Sequence, residues 1–325
     1  MNNEKRKIKV LITGGAGFIG SNLANTLASK NQEDKVDYEV DILDNFSIGR
    51  MDNLTNKDVN ILKGDILTYN FDENSRYDMI VHCAVMNIKD VATDAHAGLK
   101  TNIEGTLRML EFARKWNTKF IYVSSASVYG NTKNAMLTET DPTEPISLYG
   151  VTKLAGENYS KLYYQLYGLK TVCLRLFNVY GVNQRPDNAY CQVISTFISQ
   201  ALNNEKLTIW GDGEQTRDFT YVSDVVDAIK CVMESDNGIG EVFNISTAIE
   251  TSMNNLAHTI LKKIHPNKNQ DDNTSYSPIR HIDDVRRRCG DIERMRQVFR
   301  WYPKVSLNIG LGKTIEWLQE KKIDN

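Results

Sequence analysis

The chain has 325 residues, of which 41% are hydrophobic and 25% are charged, and its formal net charge is −2. This composition is ordinary for a soluble globular protein, and the length predicts two domains. The charge balance argues against a surface that tracks nucleic-acid phosphates. No stretch approaches the roughly 20 apolar residues that span a membrane, so we expect a cytoplasmic protein. The cysteines and histidines lack metal-ligand spacing, so no metal site is predicted.

Short β-branched runs alternate with helical patterns in the first half of the chain, which predicts a doubly wound parallel sheet of the Rossmann α/β type. After about Tyr180 the pattern loosens, which predicts a smaller α/β lobe. We therefore expect a dinucleotide-binding domain over 1–179 and a second lobe over 180–325, with part of 219–248 returning to the first domain. The polar segment Asn267–Ser277 is expected to be a mobile loop. Predicted strands are Lys9–Thr13, Glu39–Leu43, Val59–Lys63, Met79–His82, Phe120–Ser124 and Thr171–Leu176, and predicted helices are Phe18–Lys30, Ala97–Trp116 and Val151–Tyr167.

A glycine-rich turn joins the first predicted strand to the first helix within Val10–Gly20. One glycine permits the tight turn, one allows the backbone to approach a pyrophosphate, and one allows helix and strand to pack closely. The helix N-terminus adds N–H groups and a partial positive charge. The turn therefore predicts a dinucleotide site at Gly14, Gly17, Phe18, Ile19 and Gly20.

An acidic residue at the end of the second strand favours NAD over NADP. Asp44 follows the predicted strand and can accept hydrogen bonds from the adenosine ribose, where it would repel a 2′-phosphate. Asp41 competes for this role, although its place inside the strand makes it the weaker candidate. Arg50 lies nearby in sequence, and its positive charge weighs against a strict preference for NAD over NADP.

Tyr149 and Lys153 are spaced to lie on one face of a predicted helix. An adjacent ammonium favours the phenolate, which makes the tyrosine a usable general base at neutral pH. Ser125 ends a predicted strand about 24 residues earlier, where a hydroxyl can orient a substrate oxygen, and Ser124 is the alternate. We therefore predict a catalytic set of Ser125, Tyr149 and Lys153.

These motifs resemble those of the extended short-chain dehydrogenase/reductase family, in its nucleotide-sugar epimerase/dehydratase branch. The resemblance covers essentially the whole chain. Its further markers are Leu43-Asp44-Asn45, Gly64-Asp65-Ile66, His82-Cys83-Ala84, Asn102–Thr106, Val128-Tyr129-Gly130, Leu174–Gly181 and Arg217–Asp224.

The resemblance implies NAD as cofactor, a nucleotide sugar that is UDP-linked in most relatives, and a homodimer formed through two helices. It places Asp65 and Ile66 against the adenine and the diphosphate against Arg217 and Arg280. Further implied cofactor residues are Asn45, Ala84 and Asn102, and further implied substrate residues are Ser127, Asn178 and Arg185.

Two arginine features leave alternatives open. Arg217 binds the diphosphate in the favoured interpretation, because a guanidinium fork suits a diphosphate, and pairs with Asp218 or Asp224 in the other. The run Arg286–Arg288 stands where the family gates its sugar pocket. Arg288 would narrow that pocket or meet an acidic sugar, unless the run is an exposed basic face.

The segment Ser125-Ala126-Ser127 lacks the acid that the resemblance associates with 4,6-dehydratases and decarboxylating members. We therefore expect a 4-epimerase that works through a transient 4-keto sugar. The alternatives are a 4,6-dehydratase, a decarboxylase, a 4-keto-reductase or a C5 epimerase on the same fold, and more remotely a non-catalytic NAD-binding protein.

Overall fold

A computed structural model describes residues 6–29, 36–132, 134, 136–186, 193–269, 271–278 and 285–323. Its strands are β1 Arg6–Thr13, β2 Val36–Asp44, β3 Asn60–Lys63, β4 Met79–His82, β5 Lys119–Ser125, β6 Thr171–Leu176, β7 Leu207–Trp210, β8 Thr216–Asp218, β9 Val242–Ile245, β10 Glu250–Ser252, β11 Thr274–Ser277 and β12 Arg287–Arg288. Its α-helices are α1 Phe18–Ala28, α2 Ile88–Thr93, α3 Ala95–Leu99, α4 Gly105–Trp116, α5 Leu148–Tyr167, α6 Val193–Leu202, α7 Val222–Met233, α8 Met253–Ile264, α9 Glu293–Phe299 and α10 Leu307–Ile323.

Seven strands form one sheet in the order β3-β2-β1-β4-β5-β6-β9. The pairings from β3 through β5 are parallel, and Thr13 of β1 lies opposite Leu43 on one side and His82 on the other. The chain order reverses at β1, so the carboxyl ends of β1 and β4 border the crevice where doubly wound folds bind ligands. The predicted Rossmann-type α/β fold is confirmed.

The core of this sheet follows from nearly continuous apolar runs in its central strands, which are buried on both faces. Leu11 and Ile80 in the central strands are 0% exposed, and α4 packs Leu110 and Ala113 against them, also at 0%. This burial removes from water the apolar faces of the strands and of α4, as the apolar patterns of these segments indicate.

The structure refines one local prediction and overturns another. The predicted helix Ala97–Trp116 is two α-helical pieces, α3 and α4, joined by a π-helical turn at Lys100–Glu104. The predicted loop at Asn267–Ser277 contains β11, which pairs in parallel with β7. Periodicity could not separate an α-helix from an inserted π-turn, and a polar edge strand lacks the apolar alternation that marks a strand.

The chain forms two compact units: residues 1–124, 152–174 and 229–242 in the first, and 125–151, 175–228 and 243–325 in the second. Each unit therefore draws segments from both sides of residue 180, where the sequence placed its domain boundary. Within the described ranges, no helix combines the length and the apolarity that a membrane crossing requires.

Candidate active site

The glycine turn after β1 has the backbone that its sequence predicted. Gly14 has φ +65°, and a Cβ there would lie 2.7 Å from the Ala84 nitrogen. A Cβ on Gly20 would lie 2.2 Å from the Gly14 carbonyl oxygen. Gly17 caps α1 without a side chain over the helix end. The turn is therefore tight, and the first N–H groups of α1, from Phe18 onward, lie at a helix terminus suited to a phosphate.

Asp44 lies at the carboxyl end of β2, beside this turn. Its carboxylate accepts hydrogen bonds from the Ala16 N–H at 2.9 Å and from the Phe46 N–H at 2.8 Å. A Cβ on Gly49 would lie 2.8 Å from both carboxylate oxygens. The acid is thus fixed by the backbone around the glycine turn, where the sequence expected the ribose contact.

Asp41, the competing acid, has a different environment inside β2. It is 4% exposed and accepts hydrogen bonds from the Tyr77 hydroxyl at 2.7 Å and from the Asn60 amide at 3.0 Å. These bonds occupy the carboxylate within the sheet. The local geometry therefore favours Asp44 for the ribose.

The segment after β3 carries the residues expected near the adenine. Asp65 accepts a hydrogen bond from the Asn45 amide at 2.8 Å and another from the Leu67 N–H at 2.8 Å. Ile66 is 6% exposed and belongs to the core cluster with Leu110. The Asn45–Asp65 bond joins the segments that follow β2 and β3.

A buried chain of polar groups runs behind the glycine turn, a role that the sequence analysis did not assign to its residues. The Thr13 hydroxyl lies 2.7 Å from His82 Nδ1, and His82 Nε2 lies 3.0 Å from the Thr106 hydroxyl. Burial lowers the pKa of His82 to about 3, and the charge of Lys153 acts in the same direction. The imidazole is therefore neutral at physiological pH, as suits a structural link between β1, β4 and α4.

Asn102 lies in the π-turn and is 2% exposed. Its amide oxygen accepts from the Met86 N–H at 2.7 Å, and its nitrogen donates to the Met86 carbonyl and the Thr152 hydroxyl, each at 3.0 Å. The side chain thereby connects the segment after β4, which includes Ala84, to α5. Its predicted contact with the cofactor stays a prediction.

Two serines end β5 with different partners. Ser124 is 3% exposed and donates to Glu157 at 2.5 Å. Ser125 is only partly buried, and its oxygen accepts from the N–H of Ser127 at 3.2 Å and from the Ser127 hydroxyl at 3.0 Å. Ser124 is therefore committed to a buried carboxylate, and Ser125 is the hydroxyl of the pair that reaches the surface.

Tyr149 and Lys153 lie one turn apart near the start of α5. The Ser147 hydroxyl accepts the Gly150 N–H at 3.1 Å, which caps the helix at this point. A Cβ on Gly150 would lie 2.7 Å from the Ser127 carbonyl oxygen, so the first turn of α5 packs against the segment after β5. Lys153 is 3% exposed, and burial lowers its pKa to about 8.

The second unit holds the predicted substrate residues. Asn178 has φ 31°, unusual for a residue other than glycine, and donates to the Asp218 carbonyl at 3.0 Å. Arg217 donates to the Val285 carbonyl at 2.7 Å. The Asp218 carboxylate accepts from the Thr247 hydroxyl at 2.6 Å. This holds the acid in place beside β8.

The basic run Arg286–Arg288 has two environments. Arg286 pairs with Asp212 at 2.8 Å and Arg287 with Glu250 at 2.5 Å, and both arginine side chains are about half exposed. Arg288 is 5% exposed and lies opposite Arg217 in the parallel pairing of β12 with β8. The exposed-face interpretation therefore holds for the first two arginines and fails for Arg288.

Two predicted phosphate ligands remain. Arg185 is 8% exposed, a degree of burial that a charged residue usually reaches with compensating partners. Arg280 lies outside the described residues.

Comparison with known proteins agrees with this geometry. Residues 10–246 match the NAD dependent epimerase/dehydratase family. The chain is 34% identical over 316 residues to a putative UDP-glucose 4-epimerase of Methanocaldococcus jannaschii, covering 95% of this chain and 98% of that protein. It belongs to this epimerase/dehydratase family.

Two solved structures extend the similarity. A UDP-glucose 4-epimerase of Thermotoga maritima, solved with UDP-glucose, has a TM-score of 0.87 and 34% identity over 97% of this chain and 100% of that one. A UDP-glucuronic acid 4-epimerase of Bacillus cereus, solved with UDP-glucuronic acid and NAD, has a TM-score of 0.83 and 30% identity over 97% and 99% of the two chains.

The epimerase/dehydratase chain has a turn that fits its family's cofactor, NAD. The backbone at Gly14 and Gly20 leaves no room for a Cβ, and the uncapped start of α1 lies beside the fixed carboxylate of Asp44.

Sequence reasoning missed Glu157, a buried acid in α5, the helix that carries Tyr149 and Lys153. The available signal was its spacing, since it follows Lys153 by four residues on the face that packs inward.

Proposed function

We propose that this epimerase/dehydratase is a 4-epimerase of a UDP-linked hexose or hexose derivative. The observation that carries the proposal is the end of β5. Ser125 presents a partly exposed hydroxyl there, while the next two positions, Ala126 and Ser127, are 3% and 4% exposed and carry no carboxylate. Elimination of water needs an acid to protonate the leaving hydroxyl. Oxidation and re-reduction at C4 need no acid besides the tyrosine that exchanges the proton of the 4-hydroxyl.

Tyr149 acts as the base in this proposal. Its phenolate takes the proton of the sugar 4-hydroxyl, and the phenol returns that proton after the 4-keto sugar has turned its other face. Lys153 stabilises the phenolate by its charge, and Ser125 orients the sugar oxygen by a hydrogen bond. The chemistry that bound NAD supplies is reversible acceptance of a hydride from C4.

The cofactor and substrate contacts are proposed residue by residue. Asp44 and Asn45 contact the adenosine ribose, Asp65 and Ile66 border the adenine, and Ala84 and Asn102 border the nicotinamide end. The sugar-nucleotide contacts are Ser127, Asn178, Arg185, Arg217 and Arg280. Support for Arg217 comes from Arg288, whose register places a second guanidinium on the neighbouring strand.

The test is incubation of the purified protein with single UDP-hexoses, followed by proton NMR of the sugar. The proposal expects interconversion of the 4-epimers with at most catalytic NAD and no net formation of NADH. A 4-keto-6-deoxy product indicates a dehydratase, loss of carbon dioxide from a UDP-uronic acid a decarboxylase, and stoichiometric consumption of NADH a reductase. The Tyr149→Phe variant is the matched control, because it keeps the ring and removes the base.

We also propose a cytoplasmic homodimer that pairs through α4 and α5. Apolar side chains remain exposed along α5, with Leu162 at 46%, Leu166 at 67% and Tyr167 at 53%. Arg114 of α4 lies over the Tyr167 ring at 4.8 Å and pairs with Glu111 at 2.6 Å, which adds a polar rim. An apolar centre with a polar rim is the usual anatomy of a self-association surface.

A further inference from the structure

A buried carboxylate lies one helical turn beyond the lysine of α5. Glu157 follows Lys153 by four residues, so the two side chains lie on the same face of the helix. Both residues are 3% exposed. Burying a carboxylate this completely costs free energy unless it is paired or hydrogen-bonded. We therefore expect Glu157 to have polar partners inside the protein.

The two α5 residues hold two consecutive residues of β5. Glu157 accepts a hydrogen bond from the Ser124 hydroxyl at 2.5 Å, and the Lys153 ammonium donates to the Val123 carbonyl at 2.8 Å. Ser125, the proposed substrate-orienting serine, is the next residue in the strand. The end of the strand is thus tied to two successive turns of the helix.

Glu157 also provides a negatively charged group near the buried Lys153 ammonium. The groups near this ammonium include His82 and Cys83 from the end of β4, the Tyr122 ring of β5 at 5.0 Å, and Glu157 from α5 itself. Burial holds the pKa of His82 near 3 and raises that of Cys83 to about 12, so both are neutral at pH 7. Burial lowers the pKa of Lys153, and the charges of Cys83 and Glu157 act against it. Because the Cys83 thiol is neutral at pH 7, Glu157 supplies the negative charge there.

We propose that Glu157 is a positioning residue for the reaction: it places a carboxylate one helical turn from Lys153 and holds Ser124, and with it the strand end that carries Ser125. This inference rests on the proposed role of Tyr149 and Lys153 in proton transfer. It assigns Glu157 no contact with substrate or cofactor.

The Glu157→Gln variant tests the charge, because the amide oxygen can still accept the hydrogen bond from Ser124. Without the carboxylate, the pKa of Lys153 falls below about 8. The phenolate of Tyr149 then loses support wherever Lys153 has lost its proton, so the acid limb of the kcat–pH profile moves to higher pH and kcat at pH 7 falls about twofold. KM for the UDP-sugar stays within about twofold, because no substrate contact changes.

Two variants separate charge from hydrogen bonding. Ser124→Ala removes the bond and keeps the Glu157 charge, so the acid limb stays where it is in the wild type. Glu320→Gln is the charge-matched control, since Glu320 is exposed on α10. If Glu157→Gln does not fold, the double variant Ser124→Ala/Glu157→Met takes its place, because removing both partners of the Ser124–Glu157 bond leaves neither of these two groups buried and unsatisfied.

A readout that needs no turnover distinguishes this inference from the proposed function. The ultraviolet absorption of tyrosinate, taken as the difference between each NAD-bound protein and its Tyr149→Phe counterpart, reports the ionisation of Tyr149. We expect Tyr149 to ionise at higher pH in Glu157→Gln than in the wild type. An unchanged titration overturns the inference, and a shifted titration in a protein that epimerises no UDP-sugar upholds it while refuting the proposed function.

Discussion

Replacing Gly14 by alanine tests whether the glycine-rich turn after β1 has room for a side chain. The new Cβ would lie 2.7 Å from the Ala84 nitrogen, 2.8 Å from the Ala84 Cα and 2.9 Å from the Cys83 carbonyl carbon. All three are backbone atoms of the segment after β4, so no flexible side chain can move aside. The φ of +65° adds a second penalty, because L-residues avoid this region.

The magnitude follows from these two terms. A left-handed conformation costs an alanine about 1–2 kcal/mol, and an overpacked site costs a further 1–3 kcal/mol or so. We therefore expect Gly14→Ala to lose about 2–5 kcal/mol in the free energy of unfolding. The displaced turn should also weaken NAD binding, because the phosphate-binding N–H groups move with it.

Two other glycines provide matched controls in the same urea-unfolding assay. Gly168 has φ +69° with nothing within 4 Å of its added Cβ, so Gly168→Ala tests conformational strain alone. Gly312 lies in α10 with open space around it, and Gly312→Ala should be neutral or slightly stabilising. If Gly14→Ala is no more destabilised than Gly168→Ala, the steric argument for the turn is refuted.

Three further predictions test other parts of the molecule. The folded-state pKa of His82, about 3, lies below its unfolded value of 6.5, so the unfolded state binds a proton at higher pH than the folded state does. The free energy of unfolding should therefore fall as the pH drops below 6.5. In urea titrations at several pH values, His82→Gln should flatten that slope. Arg217→Ala should weaken UDP binding at least tenfold by calorimetry while NAD affinity stays unchanged, and equal losses for both ligands would refute a diphosphate role. Leu166→Glu should convert the proposed dimer to monomer in sedimentation analysis, whereas Ile309→Glu, at an equally apolar exposed position of α10, should leave it dimeric.

The sequence by itself determined the fold class, the cofactor and the family. The glycine spacing between Val10 and Gly20 and the alternation of strands with helices are local patterns, and each has one physical solution in a parallel sheet. The four-residue spacing of Tyr149 and Lys153 is equally local, because helical periodicity alone places both on one face. Such features can be recognised before the chain is folded.

Only the tertiary structure decided which polar side chains are held by hydrogen-bond or ion-pair partners inside the protein. Ser124 and Ser125 are neighbours in sequence, yet one is bonded to buried Glu157 and the other reaches the surface. Arg286 and Arg288 look alike in the sequence, yet one is an exposed ion pair and the other is buried beside β8. Burial and pairing depend on residues distant along the chain, such as those 33 positions apart in the Ser124–Glu157 bond, and no local pattern encodes them.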